Sequence, residues 1–154
     1  MTDDALVVAM AGLAQVPALA MVEASAFDEP WSADTIRGLL ADGLSRAWVA
    51  TESGDAVATA LVRIVAGEGE LLRIGVRPSH RRRGIGRRLI DAVKADVAGA
   101  CPDGLHLEVR AANTAARRLY ASAGFEQTGR RPGYYAVPPD DAILLRWMPI
   151  ATSG

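Results

Sequence analysis

Two glycines a single residue apart, Gly84 and Gly86, stand inside the stretch His80-Arg81-Arg82-Arg83-Gly84-Ile85-Gly86-Arg87-Arg88-Leu89. An apolar run, Leu71-Leu72-Arg73-Ile74-Gly75-Val76, precedes it, and the alternately apolar and charged Leu89-Ile90-Asp91-Ala92-Val93-Lys94 follows. This order predicts a strand, a tight turn and a helix. Glycines at the turn let backbone N–H groups converge with no Cβ in the way, and the helix start adds unpaired donors and the positive end of its dipole, so the turn is built to receive an anion. Five arginines between Arg81 and Arg88, in a chain of formal net charge −1, make this its one dense positive cluster.

The spacing excludes two common phosphate loops. A Walker loop needs a longer glycine gap closed by Lys-Ser/Thr, and a dinucleotide-binding fingerprint needs a third glycine and a later acidic residue. On the turn alone, a solvated arginine face on an ordinary helix remains an alternative. With 154 residues, half of them apolar and 23% charged, the chain fits one folded domain, 1–154. One cysteine, Cys101, excludes an internal disulfide and a cysteine-based zinc cluster. Beside Pro102 it reads as a bystander in a turn, in keeping with a reducing, cytoplasmic setting. Ala5 to Val22 carries no charge, but Asp3 and Asp4 stand where a secretory leader needs basic residues, and Gly12, Gln15 and Pro17 interrupt it. It reads as a strand and a helix, not a leader or a membrane span.

Along the chain, Ala5 to Met10 reads as an edge or second strand, Pro17 opens a helix to about Ser25, and Ser32 caps a helix carrying Ile36, Leu39 and Leu40. Phe27 and Trp31 flank Asp28-Glu29 in the loop between these helices, where they either line a site or anchor the loop to the core. Ala47 to Ala50 and Ala56 to Val65 form a hairpin about Glu52-Ser53-Gly54-Asp55, and Glu70 to Val76 adds a strand in which Gly75 marks a bulge or a close approach of backbone to ligand. Leu105 to Arg110 alternates strictly, with Leu105, Leu107 and Val109 on one face and His106, Glu108 and Arg110 on the other. Asn113 caps a helix that Gly124 stops. Phe125 to Thr128 and Ala142 to Met148 complete the sheet around a long loop from Arg130 to Pro139. His80 and His106 have no carboxylate or cysteine at ligand spacing, and no metal site is expected.

Two segments, Arg81-x-x-Gly84-x-Gly86 and Leu107-Glu108-Val109-Arg110-x-x-Asn113-x-x-Ala116-x-x-Leu119-Tyr120-x-x-x-Gly124-Phe125, together resemble the GNAT superfamily of N-acetyltransferases. Leu-Glu-Val-Arg, Pro30-Trp31-Ser32, and Tyr134-Tyr135 followed by Asp141-Ala142 narrow the resemblance to the RimI type, which acetylates the N-terminal alanine of a ribosomal protein. It spans roughly Phe27 to Leu145. The resemblance implies a mixed α/β fold, with a mostly antiparallel central sheet, a splayed parallel strand pair and about four helices. It implies acetyl-CoA as cosubstrate and direct attack by the acceptor in a ternary complex. The acceptor it implies is a protein N-terminus, first the alanine of the eighteenth small-subunit ribosomal protein, with no direct nucleic-acid or membrane binding.

By the same resemblance, backbone groups of Ile74, Gly75 and Val76 hold the pantetheine arm and the acetyl carbonyl. Arg81, Arg82, Arg83, Gly84, Ile85, Gly86 and Arg87 surround the pyrophosphate, and Asn113 adds a cofactor contact to its capping role. Chemistry gives two further residues a reason. An amine attacks a thioester only when neutral, so a base must take its proton: Glu108 is the natural one, its alternative being a solvated charge on the open face of the sheet, and the resemblance implies Tyr120, otherwise a core-packing phenol, as the acid for the departing thiolate. Trp31, Tyr134 and Tyr135 face the acceptor, and Asp28, Glu29, Asp140 and Asp141 would attract a cationic terminus. Ala112, the added Asp28-Glu29 and Pro132-Gly133 depart from the RimI pattern on the acceptor side. A small-amine acetyltransferase, a non-catalytic acyl-CoA-binding module and a nucleic-acid binder using Arg81 to Arg88 are the other readings.

Overall fold

The computed structural model describes residues 5–149, so Asp3 and Asp4 lie outside the described residues. In chain order it contains β1 (Leu6–Ala11), α1 (Val16–Ala26), α2 (Ala33–Ala41), β2 (Ser45–Glu52), β3 (Asp55–Val65), β4 (Glu68–Val76), α3 (Ile85–Val97), β5 (Leu105–Arg110), α4 (Thr114–Ser122), β6 (Glu126–Ala136) and β7 (Pro139–Trp147), with short 3-10 turns at Leu13–Gln15 and Pro78–His80. Among the described residues the seven strands form one sheet in the order β1-β2-β3-β4-β5-β7-β6, parallel only between β4 and β5. This is the mixed fold with one parallel pair and four helices that the resemblance implies.

Local chemistry sets the element ends. Ser53 and Gly54 both have positive φ, as do Ala66 and Gly67, which gives two-residue turns whose twist matches the β2–β3 and β3–β4 hairpins they close. Ser32 Oγ accepts from the Thr35 N–H at the start of α2, and Asn113 Oδ1 accepts from the Ala116 N–H at the start of α4. On α3, Ile85, Leu89, Ile90, Val93 and Val97 recur at helical spacing and are buried against the sheet, each such side chain stabilising the fold by about 1.5–3 kcal/mol.

The sheet separates two apolar layers. Trp48, Ala50, Ala58, Ala60, Leu105, Leu107 and Val109 face α3 and α4, whereas Ala47, Val49 and Leu61 face α1 and α2. The second pair of helices reaches β2, β3 and β4. Over β5 the same face is open, which leaves the side chains that alternate with Leu105, Leu107 and Val109 towards solvent.

A bulge opens the middle of the sheet. Leu61 pairs with Arg73 and Val62 with Leu71, so Leu72 is an extra residue in β4. The side-chain alternation resets there: Leu71 and then Ile74 and Val76 all pack towards α3, which a regular strand cannot do. The parallel ladder to β5 has two rungs, Gly69–Leu105 and Glu70–His106, and stops just before the bulge. Because a bulge bends its strand and increases its twist, β4 turns away while β5 continues alone beside β7, and a wedge opens between them.

Three expectations are corrected. The segment Arg130 to Pro139 is not a loop but the far half of the β6–β7 hairpin, with a register break between Arg131 and Tyr135 that absorbs Pro132 and Gly133. Asp141 secures that break by accepting from the Gly133 N–H at 2.7 Å and from Arg130 Nε at 2.8 Å. Cys101 is no bystander: it is fully buried in the α3-side core, and a Cβ on Gly69 would stand 2.7 Å from its sulfur. Gly75 lacks a side chain because of protein, not ligand, since a Cβ there would meet the Phe27 ring at 2.6 Å.

Candidate active site

Backbone groups on one edge of the wedge have left the ladder. The Arg77 N–H donates to the Val57 carbonyl of β3, so by strand alternation the polar groups of Gly75 turn to β3 and those of Ile74 and Val76 turn into the wedge. Of the three residues expected to hold the pantetheine arm, Ile74 and Val76 therefore present their backbone there and Gly75 does not. The Val76 carbonyl accepts from Arg81 Nε at 3.1 Å.

At the end of β4 the chain enters the arginine turn. Arg82 and Gly84 both have positive φ, and α3 starts with no side-chain cap and no acidic residue in its first turn. A Cβ on Gly84 would meet nothing within 4 Å, so the space before these amides is open; on Gly86 it would press on Leu119 at 3.2 Å, which is how α4 comes close to the turn. Ile85 is a core residue. Most of the arginine side chains are already engaged: Arg81 with the Val76 and Ala26 carbonyls, Arg83 with Glu52 at 2.7 Å, Arg87 with Asp91 at 3.1 Å. What the turn offers an anion is chiefly backbone amide and dipole.

Glu108 projects from β5 on the open face. Its side chain is 27% exposed and ion-paired at 3.2 Å to Arg131, itself 55% exposed. Tyr134 is half-exposed and close enough that the Glu108 carboxylate, as a hydrogen-bond acceptor first and as a charge second, pushes the phenol above its ordinary range. Tyr134 stacks edge-on against Tyr135 at 5.0 Å, and the Arg110 guanidinium lies 4.1 Å over the Tyr135 ring while donating to the Val137 and Pro138 carbonyls. Glu108 and Arg131 also border a groove of about 560 Å³ with Arg63, Glu70, His106 and Thr128.

Tyr120 lies on the other face. It is buried on α4 with its ring edge-on to Phe125 at 5.6 Å, and burial pushes its phenol up to about 12. Glu108 and Tyr120 thus flank β5 from opposite sides. Asn113 is exposed at the start of α4, with its Oδ1 used for the cap.

Trp31 belongs to a separate cluster. The Arg73 guanidinium lies 3.8 Å over the Phe27 ring and 4.7 Å over the Trp31 ring, and it pairs at 2.6 Å with Glu23, whose side chain has no exposed surface. Sequence reasoning missed Glu23, Arg73 and Arg131, because their partners are 50 and 23 residues away along the chain. His80 Nε2 lies 3.5 Å from Glu52 and His106 Nε2 lies 3.3 Å from Glu68, contacts between residues far apart in the chain. Asp140 and Asp141 are engaged within the protein: Asp140 accepts from the Ala112 and Asp141 N–H groups, and the Gly133 N–H together with Arg130 holds the Asp141 carboxyl below the usual range. Among the described residues no group of three His, Cys, Asp or Glu side chains is placed to hold a metal, and no helix is long and apolar enough to cross a membrane.

The sequence profile of the acetyltransferase (GNAT) family matches residues 12–125, which contain the wedge, the arginine turn, Glu108 and Tyr120. N-alpha-acetyltransferase RimI of Mycobacterium tuberculosis is 36% identical over 154 residues, covering 95% of this chain and 96% of that protein. The [ribosomal protein bS18]-alanine N-acetyltransferase of Escherichia coli is 33% identical over 84% of this chain and 88% of its own length. The solved structure of the Escherichia coli ribosomal-protein-S18-alanine N-acetyltransferase superposes with a TM-score of 0.86 at 30% identity, covering 97% of each chain. A longer Mycobacterium leprae protein is 34% identical over 151 residues, and the chain spans 41% of it. The chain belongs to the GNAT acetyltransferase family, as an N-acetyltransferase of the RimI-like kind.

Proposed function

We propose that this protein, acting as one domain, transfers an acetyl group from acetyl-CoA to the N-terminal amine of a protein. The first candidate is the alanine of the small-subunit ribosomal protein acetylated by its Escherichia coli relative. The observation that carries the proposal is the position of Glu108, on the open face beside a wedge whose other edge is the ladder-free backbone of Ile74 and Val76 and which leads to the uncapped start of α3.

Acetyl-CoA supplies the acetyl group as a thioester. The residues present fit such a molecule: amides from Gly84 to Arg87 suit a pyrophosphate, with Arg82 adding charge, and the Ile74 and Val76 backbone suits the amides of an extended arm. Glu108 takes the proton that an α-amine, with a pKa of roughly 8, still holds near neutral pH. Arg131 keeps that carboxylate in place. Tyr120 holds its proton throughout the working range and presents its O–H to the departing sulfur. A thiol has an ordinary pKa of roughly 8.5, so its thiolate is a weaker base than the Tyr120 phenolate, and a hydrogen bond is favoured over complete proton transfer. The chain's one cysteine, Cys101, is buried in the α3-side core away from Glu108, which supports direct attack within a ternary complex over an acetyl-cysteine intermediate. Trp31, Tyr134 and Tyr135 lie on the acceptor side of the sheet.

Offering purified protein and acetyl-CoA a series of alanine-initiated peptides and a panel of free small amines tests the reading by mass. Acetylation at the peptide α-amine is the expected result. Turnover of free amines alone would overturn it.

A further inference from the structure

Outside Glu108 and the turn, Glu23 is the one buried charged residue among those described. Its carboxylate, with no exposed surface, accepts from Arg73 Nη2 at 2.6 Å, from Arg73 Nε at 3.2 Å and from the Trp31 N–H at 2.9 Å. Arg73 Nη2 also donates to the Glu29 carbonyl at 3.2 Å, and its guanidinium is held between the Phe27 and Trp31 rings. Phe27 in turn occupies the space that Gly75 leaves by lacking a Cβ. One ion pair therefore fastens three elements together: the last turns of α1, the α1–α2 connection, and β4 immediately after its bulge.

We infer that the Glu23–Arg73 pair is a positioning device for the acceptor side of the active site, fixing the Phe27–Trp31 connection against the strand whose backbone borders the wedge. The inference rests on the reading that the acceptor binds on this face. Arg73 precedes Ile74 on the strand that borders the wedge. Its side chain, however, points to the α1 face, away from the α3 turn, so its loss separates acceptor binding from acetyl-CoA binding. A planar guanidinium is required for this arrangement, because it stacks on two rings and forks onto one carboxylate at once; a lysine supplies the charge without either geometry. Neither residue touches a reacting atom, and neither is a catalytic residue.

The test is steady-state kinetics with acetyl-CoA and an alanine-initiated peptide each varied, on the wild-type protein, Arg73→Lys, and the double variant Glu23→Gln/Arg73→Met, which removes both charges so that no unpaired carboxylate is left buried. In the double variant the peptide KM is expected to rise by about tenfold or more while the acetyl-CoA KM stays within about twofold, and Arg73→Lys falls between it and wild type. Hydrogen exchange of the amides at 27–32 is expected to quicken in the same order. A peptide KM that stays at the wild-type value in either soluble variant overturns the inference, and so does an equal rise in both KM values; if the double variant does not fold, Arg73→Lys decides alone. A wild-type protein that acetylates none of the peptides defeats the functional reading instead, and the two ratios are then taken with the amine it does acetylate.

Discussion

Glu23 and Glu108 are each paired with an arginine, and the difference between the two pairs separates architecture from chemistry. Glu23 has no exposed surface and three donors on its carboxylate, and its arginine is 19% exposed and wedged between two aromatic rings. Glu108 is 27% exposed, and its arginine is 55% exposed at a longer distance of 3.2 Å. A carboxylate already held by three donors and with no route to solvent cannot collect a proton from an incoming amine. One with an open side and a loosely held partner can. The first pair withstands removal of neither member; the second is inexpensive to rearrange.

Stability measurements sharpen this contrast. Arg73→Met leaves Glu23 buried without its cation and is expected to lower unfolding free energy by about 3–5 kcal/mol in denaturant titration, with Glu23→Gln added to it restoring part of the loss. A cost below about 1 kcal/mol would make the two pairs alike. The buried Tyr120 comes next. Its phenol is raised from 10.0 to about 12, so the folded state keeps a proton that the unfolded state releases. Stability is therefore fully present below pH 10 and declines between pH 10 and 12 by about 2–3 kcal/mol, a slope that Tyr120→Phe should remove. Gly84→Ala should cost about 1–2 kcal/mol through its positive φ alone, since its surroundings are open, and should weaken acetyl-CoA binding as the turn relaxes. Arg131→Met, at the exposed pair, should change stability by less than about 1 kcal/mol.

Much of this arrangement is legible in the chain because the responsible signals are local. The alternation from Leu105 to Arg110 puts Glu108 on the face opposite the core, and Ser32 and Asn113 announce helix starts that the structure confirms by hydrogen bonds. What cannot be read depends on distant partners. Leu71-Leu72-Arg73 looks like an unbroken apolar strand, and only pairing with Leu61 and Val62 makes Leu72 a bulge and opens the wedge. Pro132 and Gly133 look like loop residues until Asp141 holds them in a strand irregularity. Glu23 carries no signal of its own within its helix, because its arginine lies fifty residues on. The arginine-rich turn adds something its composition does not show: Arg81, Arg83 and Arg87 also bind the protein itself, and the start of α3 beside them has no side-chain cap.

The most direct test is Glu108→Gln, with acetyl-CoA binding measured by calorimetry and acetyl transfer to an alanine-initiated peptide followed by mass. Loss of turnover by about 10²–10⁴-fold with binding unchanged is the predicted result. Binding intact and turnover at the wild-type rate would contradict it and remove Glu108 from the reaction.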